Sequence, residues 1–231
     1  MYQTAIKSHS MKCSNIITID GPSGSGKSTI SKQLSIALKC SCLNSGSLYR
    51  IIALYAIEND LLENIPALAT DMANINIRFV FEHNSCITLL QNKDVTAEIR
   101  QEHIGNSASR ISSVPEIRRN LVDLQRSIVG DELFVVEGRD MGTVIFPDAR
   151  LKIFLTASLA KRAERRFLEL KNKRIDTSLN KIITDMNARD ERDTQRDIAP
   201  LVPAKDSIHI DSSDLNIDDI VAKIILLWQN S

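Results

Sequence analysis

Gly21-Pro22-Ser23-Gly24-Ser25-Gly26-Lys27-Ser28 fits GxxxxGK[ST] at every required position, and no other feature limits so sharply what this chain can fold into. The motif works only between a strand and a helix, where backbone N–H groups at a helix N-terminus face an anion. Both flanks are predicted. Ile16-Ile17-Thr18-Ile19 is a β-branched run suited to a buried parallel strand, and Ile30, Leu34 and Leu38 recur at helical spacing from a start near Lys27. A chance glycine-rich turn would not have this context. The loop is expected to wrap the phosphates of ATP, with Lys27 neutralising the outer phosphates and Ser28 ligating magnesium.

Strand-like runs return at Leu133-Phe134-Val135-Val136, Lys152-Ile153-Phe154-Leu155 and Ser207-Ile208-His209-Ile210, separated by helical pattern. Alternation of this kind predicts an α/β fold with a parallel sheet flanked by helices. A last helix opens around Asn216, with Asp218 and Asp219 in its dipole-favoured first turn and Ile217, Val221, Ile224 and Trp228 along it. Two segments break the rhythm. Apolar runs at 75–81 and 87–90 flank Glu82-His83-Asn84-Ser85, which reads as a small antiparallel hairpin insert. From Leu159 to Asp197 there are eleven Lys or Arg and eight Asp or Glu, a composition that predicts a mobile, solvated helical arm.

With 231 residues, 43% of them apolar, the chain can bury one substantial core. Residues 15–231 are expected to form a single domain behind a flexible tail at 1–14. Lys and Arg balance Asp and Glu at 29 each, and only ten residues are aromatic, so neither a basic field nor a stacking platform for nucleic acid is expected. No leader or membrane span is read, and cysteines 13, 40, 42 and 86 lack the neighbours of a zinc site. Reduced thiols in a cytoplasmic protein are the expectation. His83, His103 and His209 have no nearby ligand partners and are read as structural, and Tyr49 as a packing residue.

A GTPase needs Asn-Lys-x-Asp, but Asn92-Lys93-Asp94 is one residue short, and motor or transporter ATPases carry extra domains. A small-molecule kinase fits better. If its acceptor is itself a phosphate, arginines must gather near the loop, and candidates stand beside strand ends at Arg50 and Arg139. Arg189, Asp193 and Arg196 stand at i, i+4 and i+7 and are predicted to share one helix face, although these residues on their own read better as a solvated face in which Arg189, Arg192 and Arg196 are laced to Asp193 and Asp197.

The blocks at 21–29 (through Thr29), Asn44-Ser45-Gly46-Ser47-Leu48-Tyr49-Arg50, Glu-Gly-Arg-Asp-Met-Gly-Thr-Val-Ile-Phe-Pro-Asp-Ala at 137–149, Arg-Ala-Glu-Arg-Arg at 162–166 and Ile-Ala-Pro-Leu-Val-Pro-Ala at 198–204 resemble bacterial cytidylate kinases. The resemblance runs from about Ile16 to the C-terminus. It implies a P-loop nucleoside monophosphate kinase that uses ATP and Mg2+ to phosphorylate CMP or dCMP, with an NMP-binding region at about 45–112 and a lid at about 159–197. It also implies that Arg50, Arg139 and Arg196 clamp the acceptor phosphate, Ser45 lies in the CMP site, Ser109, Arg118 and Asp140 face cytosine, and Arg189 and Asp193 hold the ribose. Arg162, Arg165 and Arg166 would begin a lid over ATP. Where the family usually carries an acidic residue, this chain has Asn44. Since the acceptor phosphate is already ionised, no general base is expected, and a monomer would suffice. Rival readings are a kinase of UMP, dTMP, AMP or shikimate, and a regulatory or RNA-binding module that holds ATP without transferring its phosphate.

Overall fold

The computed structural model describes residues 15–82 and 85–231. Cys13, the expected tail at 1–14 and His83 lie outside them. Five strands form one parallel sheet: β1 (Ile16–Asp20), β2 (Ser41–Asn44), β6 (Phe134–Gly138), β7 (Leu151–Thr156) and β8 (Ile208–Asp211), ordered β2-β6-β1-β7-β8. The order fixes the chemistry. β1 ends at Asp20 directly beside Gly138 of β6, and β2 ends at Asn44 beside Glu137, so the loops after these three strands meet at one rim.

Alternation along the strands divides the core. On one face Ile17, Ile19, Val135 and Ile153 pack with Ile30 and Leu34 of α1 (Lys27–Leu38) and with Ile220 and Ile224 of α8 (Ile217–Asn230). On the other, Ile16, Leu43, Phe134 and Val136 pack with Met141 and Ile145 from the π-helical turn Met141–Ile145 and with Phe146 just after it. β6 begins one residue later than the apolar run suggested, leaving Leu133 at the edge of the first cluster.

Between β2 and β6 the chain builds a second unit: α2 (Ser45–Glu58), α3 (Ile65–Asp71), α4 (Glu102–Ile111), α5 (Pro115–Ile128), and the antiparallel strands β3 (Ile77–Glu82), β4 (Ser85–Leu90) and β5 (Lys93–Asp94). The insert therefore has a third strand that the sequence did not announce, only two residues long. α2 and α4 share a core of Ile51, Ile52, Leu54, Ile104 and Ile111. The charged arm is two helices, α6 (Leu159–Asn172) and α7 (Leu179–Gln195), and it is not solvated throughout. Ala163, Leu170, Ile182 and Met186 form a small core between them. Among the described residues no helix is long and apolar enough to cross a membrane.

Candidate active site

Where β1 turns into α1, Gly21 and Gly24 have φ of 151° and 77°. A Cβ at Gly21 would lie 2.0 Å from the Leu155 carbonyl oxygen, and one at Gly24 2.7 Å from the Met186 side chain, so only glycine lets the loop close against β7 and the arm. Ser25 Oγ donates to the Pro22 carbonyl at 3.0 Å, as does Lys27 Nζ at 2.7 Å. Lys27 is buried. Desolvation, with Arg139 adding repulsion, lowers its pKa well below the usual lysine range, while Glu137 works in the opposite direction.

Glu137 is the residue that motif reading passed over. Its carboxylate, 3% exposed, accepts from Ser28 Oγ at 3.0 Å and from Asn44 Nδ2 at 2.7 Å. Burial raises its pKa against the opposing pull of Lys27, Ser28, Arg139 and Asn44. A signal for it existed: an acidic side chain ending the strand next to the one that carries the phosphate loop. Hydroxyl and carboxylate oxygens side by side suit a hard divalent cation, whose remaining positions phosphate oxygens and water can fill. Asn44 adds a third function, since its Oδ1 accepts from Ser47 N–H and caps α2.

The arginines gather across the cleft. Arg139 donates to the Gly21 carbonyl at 2.8 Å and to Asp193 at 2.7 Å. Burial of Asp193 opposes ionisation, but Arg139, Arg189 and Arg196 outweigh it and hold its pKa below the usual range. Burial, helped by Arg139, lowers Arg189 to about 10, so it stays charged at neutral pH. Arg118 and Asp140 form a buried ion pair. Arg196 Nη2 approaches the other Asp140 oxygen at 3.9 Å. Arg189 Nε and Arg196 Nη2 are buried donors without a hydrogen-bond partner among the described residues. Such groups are costly to bury unless something anionic satisfies them.

Arg196 corrects one expectation. α7 ends at Gln195, and Arg196 has an extended backbone with ψ of 141°, so it shares no helix face with Arg189 and Asp193. Its Nε donates to the Ala199 carbonyl, and Leu201 N–H closes on the Asp193 carbonyl at 2.8 Å; the chain turning back on itself brings Arg196 to Asp140.

The remaining candidates are more dispersed. Ser109 and Arg192 are joined, Arg192 Nη1 donating to Ser109 Oγ at 3.2 Å, and both line a cleft of about 470 Å3 with Asp193 and Arg196. Arg192 was read from the sequence only as part of a solvated helix face. Arg50 donates to the Ile99 and Gln101 carbonyls. Ser45 is buried and donates to Gln125 at 2.7 Å. Arg162 is spent on protein: it donates to the carbonyls of Ser23 and Ala157 and pairs with Asp190 at 2.6 Å. Arg165 holds Ser212 and Ser213, and Arg166 holds Glu169 and Glu102. Tyr49 packs beneath Arg118, whose Cζ lies 5.6 Å from the Tyr49 ring centroid, and the rings of His209 and Phe154 pack tilted by 40° with centroids 5.5 Å apart.

The family described as cytidylate kinase matches residues 17–230. A Pectobacterium carotovorum protein named cytidylate kinase is 40% identical over 211 residues, 91% of this chain and 94% of its own. A Pseudomonas fluorescens protein of the same name is 45% identical over 213 residues, covering 91% and 93%. Among solved structures, an uncharacterized protein from Eubacterium ventriosum shares the fold at a TM-score of 0.52 and 15% identity, covering 94% of this chain and 98% of its own.

Proposed function

The chain belongs to the cytidylate kinase family and transfers the γ-phosphoryl group of ATP to CMP or dCMP, and from that premise we propose the part each cleft residue takes. Gly21 to Thr29 wraps the ATP phosphates, with Lys27 on the outer ones. Ser28 Oγ and the Glu137 carboxylate would hold Mg2+, which would supply positive charge to offset that of the transferring phosphates.

The attacking oxygen belongs to the acceptor phosphate, which is largely ionised near neutral pH, so no side chain need remove a proton. The chain's task is alignment and charge neutralisation. Arg139 and Arg196, with Arg50, grip the acceptor phosphate; Arg189 and Asp193 hold the sugar; Ser109, Arg118 and Asp140 face the base. Cytosine N4 is a donor that a carboxylate can accept, whereas uracil presents an acceptor that Asp140 repels. The observation that carries this reading is the pair of buried guanidinium nitrogens, Arg189 Nε and Arg196 Nη2, that make no hydrogen bond among the described residues, beside an Arg139 already tied to the phosphate loop. Both substrates fit within one chain, which supports a monomer, and the use of cellular ATP and CMP supports a cytoplasmic setting.

The test measures ADP release with CMP, dCMP and UMP. Replacing Arg139 by Ala removes a charge-assisted contact worth about 1.5–3 kcal/mol, so kcat/KM for CMP is expected to fall at least tenfold. Asp140→Asn is expected to narrow the CMP to UMP preference by a similar factor. Unchanged turnover in the first variant, or an unchanged preference in the second, refutes the corresponding role.

A further inference from the structure

Asp20, the last residue of β1, is a carboxylate buried to 5% exposure, and both of its oxygens are taken up by backbone N–H groups. Its Oδ1 accepts from Met141 N–H at 2.9 Å and its Oδ2 from Gly142 N–H at 2.8 Å. The next residue, Gly21, accepts from the Arg139 guanidinium at 2.8 Å. Two consecutive residues that lead into the phosphate loop thus grip positions 139, 141 and 142. Asp140 lies between the grips, and its carbonyl accepts from Val144 and Ile145 at 2.9 and 3.2 Å. There is little slack: a Cβ on Gly142 would sit 2.9 Å from Thr18 Oγ1 and 3.4 Å from Asp20 Oδ2.

We infer that Asp20 is a positioning residue for the acceptor nucleotide: it fixes the Arg139–Gly142 segment against β1, so that Arg139 and Asp140 stand in register with the phosphate loop. A carboxylate is the side chain that fits, because it offers two acceptors and no donor to two adjacent N–H groups. Its burial supports the same conclusion. Desolvation raises its pKa from the ordinary 3.8 to about 6 despite the two N–H bonds, with Asp140 adding to the rise and Lys27 opposing it. A buried carboxylate kept at such cost is serving the segment that it holds.

The inference rests on the roles given above to Arg139 and Asp140. In Asp20→Asn the amide keeps one acceptor and turns its NH2 toward the other backbone N–H. Calorimetry on the folded variant is expected to show CMP binding weakened at least tenfold, a non-hydrolysable ATP analogue bound within twofold of wild type, and a reduced CMP to UMP preference in turnover. Equal weakening of both ligands, or of neither, overturns the inference and assigns Asp20 to general support of the fold. A measurement on the unaltered protein guards against a variant that does not fold: CMP is expected to slow hydrogen exchange at the Met141 and Gly142 amides several-fold more than the ATP analogue does, and equal or absent slowing also overturns it. If Arg139→Ala and Asp140→Asn themselves leave CMP binding unchanged, the acceptor-site reading fails first; if they weaken it and Asp20→Asn does not, the fault lies with Asp20 alone.

Discussion

A single amide at position 44 joins the helix cap to the proposed cation site. Asn44 Oδ1 caps α2 through Ser47 N–H, while its Nδ2 donates to Glu137 and, at 3.3 Å, to Ser28. Aspartate would keep the cap and improve its match to the helix dipole, but it would set a second carboxylate against the buried Glu137. Asn44→Asp is therefore expected to lose about 1–2 kcal/mol of stability without metal, roughly 2–8 °C in melting temperature, and to regain it with Mg2+ and ATP. Melting curves with and without Mg2+ check this, and a variant as stable as wild type in EDTA would show that the amide does not hold Glu137. At this scale the sequence disclosed the groups whose pattern is local. Lys27 and Ser28 lie within one motif, but Glu137 acquires its role only because β6 pairs in register with β1 and β2, a relation no local window contains.

Elements were legible where periodicity was strong, as in α1 and α8, and less so where charge concealed the apolar minority. The arm reads as solvated because its Lys, Arg, Asp and Glu crowd a short stretch, yet four apolar side chains suffice to join two helices when each contributes two of them. The end of α7 was also hidden. No glycine or proline marks Gln195, and the break is imposed by tertiary bonds from Leu201 and Ala199 back to residues 193 and 196. Because the arm's core is small, its stability should be separable from that of the sheet. Leu170 is 3% exposed within it, and Leu170→Ala is expected to cost about 2–4 kcal/mol there. Hydrogen exchange should then rise in α6 and α7 while β1, β6 and β7 keep their protection. A uniform rise across the sheet would show instead that arm and core unfold as one unit.

Across the whole molecule, positive and negative side chains balance, but arginines crowd one rim of a parallel sheet, and the proposed sites for ATP and its acceptor share that rim. The strand alternation that predicts such a sheet was plain in the sequence; the cross-links over its rim were not, because they join separate elements, 109 positions apart for Ser28 and Glu137 and 118 for Arg139 and Gly21. Arg162 makes another of them. It donates to the Ser23 carbonyl in the phosphate loop at 3.0 Å and pairs at 2.6 Å with Asp190, the neighbour of Arg189 on α7. Movement of the loop toward ATP therefore pulls on the helix that carries Arg189, Arg192 and Asp193, and the two ligands should bind with positive coupling. Couplings of this kind are typically about 1–3 kcal/mol, or roughly 5–150-fold in affinity, and must be equal in both directions. Arg162→Met keeps a stem of similar length and removes every donor. Since one partner of a buried ion pair is lost, the variant should also be less stable by about 3–5 kcal/mol, so binding is best measured well below its melting temperature. Titrating CMP with and without a non-hydrolysable ATP analogue gives the coupling directly. Wild type should bind CMP at least fivefold tighter when the analogue is present, and Arg162→Met should bind it with nearly the same affinity in both cases. Coupling that survives in the variant would mean that the ligands communicate through their own touching phosphates, leaving Arg162 only the work of holding the loop in place.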